Sequence, residues 1–247
     1  MTSDDGGRKE SLSSVFKYLS VMKKFIPVLY FILFLVLFIP GCGNESTPPS
    51  DPKAPDYEGT IVAVGDSLTE GLGVAEELAY PALLEKKLRS NGYHYRVVNA
   101  GVSGETSSGT LARIKWVLTL KPDIVILVIG ANDGFRGIDP ELIKTNILTI
   151  VRALKEKKVI VLLGGMQMGQ NLGKEYITAF EKIYPLVARE ESVGLVPFFL
   201  TGVAANPKLN QTDGIHPTAE GYRVVVDHIF PYVIEAIEAH KTNSGLP

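Results

Sequence analysis

Short apolar runs alternate with helix-patterned segments over residues 59–240, which predicts an α/β domain: three layers, α/β/α, around a five-stranded parallel sheet with flavodoxin-like strand order. Three observations carry this. The run Ile124-Val125-Ile126-Leu127-Val128-Ile129 is apolar without alternation, as in a central strand covered on both faces. The stretches between apolar runs show the 3.6-residue spacing of amphipathic helices. Glycine-rich polar loops, finally, follow the carboxyl ends of three of the runs.

The first strand is Thr60-Ile61-Val62-Ala63-Val64, rich in β-branched residues and ending at Gly65. Leu83, Leu84 and Leu88 share one face of a helix over residues 81–88, which Gly92 stops. Tyr95-Arg96-Val97-Val98 forms the second strand. A helix over about residues 106–120 ends before Pro122, because the residue preceding proline is driven from the helical region. After the central strand, Asp139-Pro140 opens a helix to about Lys157, with proline where its missing N–H costs nothing. Residues 159–163 form a fourth strand, 174–190 a helix, and Leu195-Val196 a short fifth strand. The last helix is expected to begin at Pro217 and carries Tyr222, Val225, Val226, Ile229 and Phe230.

Residues 25–40 are uncharged and apolar and follow Lys23-Lys24, the layout of a secretory signal rather than a membrane span of about 20 residues. Ile39-Pro40-Gly41-Cys42 resembles a bacterial lipobox, with Pro40 departing from the usual small or aliphatic residue. Cys42 is the only cysteine, so no intrachain disulfide can form and lipidation is its expected role. Met22-Lys23-Lys24 reads as the natural start of that signal, which makes residues 1–21 an upstream extension. Residues 43–58, rich in Pro, Ser and Asp, read as a flexible tether. The domain then runs over 59–240, with 241–247 as a tail. Removing residues 1–41 takes away five basic and three acidic residues, so the lipid rather than charge would hold the membrane. These features predict an extracytoplasmic, membrane-anchored lipoprotein. The sequence pI of about 6.1 gives no footprint for nucleic acid.

Parallel strands bring Gly65-Asp66-Ser67, Gly101 to Gly104 and Gly130-Ala131-Asn132-Asp133 to one edge of the sheet, where open α/β sheets bind ligands. Asp213-Gly214-Ile215-His216 adds a base and an acid close enough for one turn to join them. These are the parts of an acyl transfer. Ser67 needs a base to take its proton, His216 is that base, and Asp213 fixes its tautomer. The backbone N–H groups of Ser67 and Gly104 and the Asn132 amide are candidate oxyanion donors. Each piece has a plainer reading: Asp66-Ser67 as a helix cap, Asn132-Asp133-Gly134 as a turn, His216-Pro217 as a helix start. Asp133 and Arg136 are read as loop solvation, Trp116 and Tyr222 as packing, and His94, His228 and His240 as surface or helix-face residues. Four blocks in this order at strand ends favour catalysis.

The four blocks resemble those of the SGNH (GDSL) serine hydrolases, with Ser67, Gly104, Asn132 and His216 at the matching positions and Asp213 completing the triad. The likeness extends over about residues 60–232 and is nearest to the bacterial acyl-CoA thioesterase I, lysophospholipase and arylesterase branch. It implies an ester hydrolase without metal or cofactor, monomeric, acting on aryl, acyl or lysophospholipid esters. In the loop beside the acyl site, Met166, Gln167, Met168 and Asn171 are substrate-contact candidates. Gln167 and Gly169 stand where relatives carry arginine and proline, which loosens the loop and removes a positive charge. Carbohydrate O-deacetylation and a non-catalytic surface-binding lipoprotein are the alternatives.

Overall fold

The computed structural model describes residues 57–169 and 172–245. Cys42, the apolar segment before it, most of the tether and Asn171 lie outside the described residues. The strands are β1 (Gly59–Gly65), β2 (Tyr95–Gly101), β3 (Ile124–Val128), β4 (Ile160–Gly164) and β5 (Gly194–Val196). They form one parallel sheet in the order β2-β1-β3-β4-β5, the doubly wound order expected. The helices are α1 (Ser67–Glu70), α2 (Tyr80–Ser90), α3 (Ser107–Thr119), α4 (Ala131–Phe135), α5 (Pro140–Glu156), α6 (Lys174–Glu191) and α7 (Ala219–Ser244). α2 packs on α7, while α5 packs on both α3 and α6, so two helical layers enclose the sheet.

That enclosure explains why β3 is apolar throughout. Ile61 to Val64 and Ile124 to Leu127 are almost wholly buried, and each such side chain contributes roughly 1.5–3 kcal/mol relative to exposure. Register then places the chemistry. Gly65 pairs with Gly101 on one side and Val128 on the other, so the chain leaves all three strands at the same edge. β1 lies where the strand order reverses, and a ligand crevice opens there.

Four details differ from the sequence expectation. Asn132 sits on a short helix, α4, rather than in a turn, and the helix that Ser67 opens, α1, is as short; four or five residues are too few to show a helical period. The last helix starts at Ala219, not Pro217, because Thr218 caps it by accepting the Gly221 N–H. Pro217 instead pairs with Asn210 in an isolated antiparallel bridge. The same helix continues to Ser244, which takes most of the expected tail into the fold. Trp116 is half-exposed on α3 with the Arg113 guanidinium over its ring, so it is not a core residue, whereas Tyr222 is. His228 and His240 link the last helix to the rest, through the Phe198 carbonyl and the Tyr95 hydroxyl.

Candidate active site

β1 must stop tightly. A Cβ at Gly65 would run into the Val128 carbonyl and the Thr69 side chain, so the strand turns there on glycine. Asp66 follows and caps α1, its Oδ1 accepting the Leu68 N–H at 3.0 Å. The capping reading is therefore realised, and the cap holds Ser67 as the first residue of α1. The Ser67 Oγ lies 2.8 Å from His216 Nε2. His216 Nδ1 lies 2.7 Å from Asp213 Oδ2.

The turn that joins acid and base is built by the acid itself. Asp213 Oδ1 accepts the N–H groups of Ile215 at 2.8 Å and His216 at 3.0 Å, while Gly214 adopts a positive φ of 72°. The His216 ring, then the His216 and Ile215 N–H groups, hold the Asp213 carboxyl down at about 2, well below the usual carboxylate range. It stays ionised at any physiological pH. Gln211 fastens this loop to the nucleophile side, its N–H bonding the His216 carbonyl at 2.8 Å and its side-chain amide the Leu72 carbonyl at 2.7 Å.

Toward Gly104, β2 runs into a loop whose Val102 N–H donates to the Gly65 carbonyl at 2.9 Å. Gly104 has a φ of 75°, a conformation that strains any residue with a side chain. The neighbouring Glu105 pairs with Arg113 at 2.6 Å, and Arg113 also donates to the Ala100 carbonyl at 2.8 Å. Ser103 bonds Glu70 from the first short helix. From β3, Gly130 turns the chain into α4 and sets Asn132 as its second residue. The Asn132 Nδ2 reaches Asp66 Oδ2 at 3.2 Å.

Asp133 and Arg136 are not the solvated loop residues the sequence suggests. Asp133 is buried and accepts the Ser107 N–H at 2.8 Å and the Ser107 hydroxyl at 2.6 Å, which fastens α4 to the start of α3. Arg136 donates to the Gly104 carbonyl at 3.0 Å, holding the Gly104 loop from the other side. Both links join residues about thirty positions apart, so no local pattern announces them.

Above these groups opens a cavity of about 790 Å³, lined by Ser67, Gly104, Asn132 and His216 together with apolar side chains. Met166 and Met168 are buried in its wall with Phe198 and Leu200 alongside, and Gln167 is exposed at the rim. The expected substrate-loop residues thus border the site, Asn171 lying outside the described residues. Leu72, Phe135 and Ile215 also line the cavity, each more than 40% exposed, and sequence reasoning missed all three. A signal existed for two of them: Leu72 and Ile215 are isolated apolar residues in glycine-containing loops, out of step with any core period.

Residues 63–224 match the family model described as the GDSL-like lipase/acylhydrolase family. The chain is 40% identical over 173 residues to the esterase TesA of Pseudomonas aeruginosa, covering 70% of this chain and 86% of that protein. It is 34% identical over 199 residues to an arylesterase of Vibrio mimicus, covering 80% and 94%. The crystal structure of TesA aligns with a TM-score of 0.69 at 39% identity, covering 72% of this chain and 99% of that one.

Proposed function

The chain belongs to the GDSL-like lipase/acylhydrolase family and is a serine ester hydrolase, and on that premise we propose that Ser67, His216 and Asp213 are its catalytic triad. The observation that supports this most is the unbroken relay from Ser67 Oγ to His216 Nε2 at 2.8 Å and from His216 Nδ1 to Asp213 at 2.7 Å. Ser67 Oγ attacks the ester carbonyl carbon while His216 Nε2 takes its proton and Asp213 steadies the imidazolium. The Ser67 and Gly104 N–H groups and the Asn132 amide receive the oxyanion, where one donor is worth about 2.7–4 kcal/mol of barrier. Collapse expels the alcohol, protonated by His216, and leaves an acyl group on Ser67. Water then attacks that ester with His216 as base and releases the acid.

The substrate class we propose is aryl, acyl or lysophospholipid esters. A cavity of about 790 Å³ walled by methionine, phenylalanine and leucine suits an apolar acyl or aryl group better than a sugar. Hydrolysis of p-nitrophenyl esters from acetate to palmitate tests this. The optimum is expected at chains longer than acetate, because the buried wall around Met166 and Met168 rewards each added methylene. Activity limited to acetate and acetylated sugars would replace this reading with carbohydrate deacetylation.

We propose further that the enzyme works outside the cytoplasm, anchored through lipid on Cys42. The support is the basic, apolar and lipobox-like sequence of residues 22–42. Cell fractionation is expected to find the wild type with membranes and Cys42→Ser released from them. An unchanged distribution would contradict the anchor.

A further inference from the structure

Asp66 is the one charged residue of the site that the acyl-transfer chemistry leaves without a role. Its side chain is buried to 1% exposure directly beside the nucleophile. Its two oxygens divide their work: Oδ1 takes the Leu68 N–H at 3.0 Å and Oδ2 takes the Asn132 Nδ2 at 3.2 Å. The first bond is an ordinary helix cap. A serine, threonine or asparagine would supply that as well, without burying a charge. The second bond has no capping purpose.

We propose that Asp66 is a positioning residue for the oxyanion hole, its ionised carboxylate fixing which way the Asn132 amide faces. This rests on the assignment of Asn132 as an oxyanion donor. An amide can be turned end for end with little change in shape, and one orientation would present oxygen, not N–H, to a developing negative charge. An ionised carboxylate accepts hydrogen bonds and cannot donate one. Asn132 must therefore offer its NH2 group to Asp66, and the second N–H of the same nitrogen remains available for the oxyanion. A protonated or amidated residue at 66 can donate to the Asn132 oxygen instead, and the reason for the productive orientation disappears.

The surroundings agree. Burial pushes the Asp66 carboxyl up from 3.8 to about 6, against the opposing pull of the Leu68 N–H, the His216 ring and the Asn132 amide. Tyr80 from α2, Tyr184 from α6 and Tyr222 from α7, each pushed up chiefly by its own burial, also sense the Asp66 charge. The Tyr222 hydroxyl has no hydrogen-bond partner among the described residues. The Glu70 charge also raises Tyr222. Among the described residues, His216 is the one group whose positive charge would attract the carboxylate. A carboxyl with a folded pKa above its unfolded one holds protons more tightly when folded, so ionising Asp66 lowers stability as pH rises from about 4 to about 6. The fold keeps a carboxylate where its ionisation costs stability, a pattern that clusters at functional sites.

The test is a double-mutant cycle in the full chain with p-nitrophenyl butyrate, using wild type, D66N, N132A and D66N/N132A. D66N is expected to lower kcat by about 100-fold with KM within about threefold, and to lose no more than about threefold when added to N132A. Retention of kcat within about threefold of wild type, or losses that multiply in the double variant, would overturn the inference. If thermal melting shows D66N unfolded, the acid limbs of wild type and N132A decide without touching Asp66. The acid limb of log kcat/KM should be steeper by about one proton in wild type than in N132A; equal slopes would overturn it. A wild type without Ser67-dependent turnover would strike the esterase site itself, and this inference with it.

Discussion

Ser67→Ala should cut kcat by about 10⁵–10⁶-fold while leaving the fold intact, because triad members act as a unit and the nucleophile cannot be bypassed. Among the described residues the side-chain oxygen makes one hydrogen bond, to His216, and as a polar atom it contributes no apolar packing. The cap on the short helix comes from Asp66 and survives the change. Stability should therefore move by no more than about 1 kcal/mol. Single-turnover kinetics on a p-nitrophenyl ester, with a thermal melt of the same sample, separate the two effects. A melt lowered by tens of degrees would mean that Ser67 is structural.

Asp213→Asn should lower kcat by about 10³–10⁴-fold, since an amide no longer demands the Nδ1–H tautomer of His216. The lower end is favoured by exposure: the Asp213 side chain is 43% accessible and water screens its charge. Part of the loss is geometric, because the same carboxylate ties the Ile215 and His216 N–H groups into the turn. The pH dependence has a definite sign. A carboxyl depressed from 3.8 to about 2 contributes fully above about 4 and is lost only as pH falls toward 2. Loss of wild-type activity between about pH 5 and 6 therefore does not come from Asp213. The kcat/KM profile of both proteins checks this, and Asp213→Asn retaining a tenth of wild-type kcat would contradict the assignment.

The residues proposed as catalytic stand out in the sequence because they follow rules that sequence records directly. β3 is apolar at every position, which requires cover on both faces and so a parallel sheet, and a parallel sheet sends Ser67, Gly104 and Asn132 to one edge. Asp213 and His216 are three residues apart, within reach of a single turn. The bonds that stitch the three strand-end loops together were not legible. Asp66 to Asn132, Asp133 to Ser107 and Arg136 to Gly104 are contacts between residues distant in sequence, and each residue locally resembles a cap or a turn. Asp66 shows the limit best. Its neighbours in sequence explain Oδ1 completely, and only the fold supplies a partner for Oδ2. Phe135 escaped for a related reason: it ends a five-residue helix too short to show which face is apolar.

The central claim is that Ser67 becomes acylated. Its most direct test is reaction of the full chain with a fluorophosphonate, followed by peptide mass spectrometry. The account predicts a single adduct on Ser67, formed with loss of all esterase activity and absent from His216→Ala, where nothing accepts the serine proton. Esterase activity that persists with Ser67 unmodified, or an adduct on another serine, would contradict it.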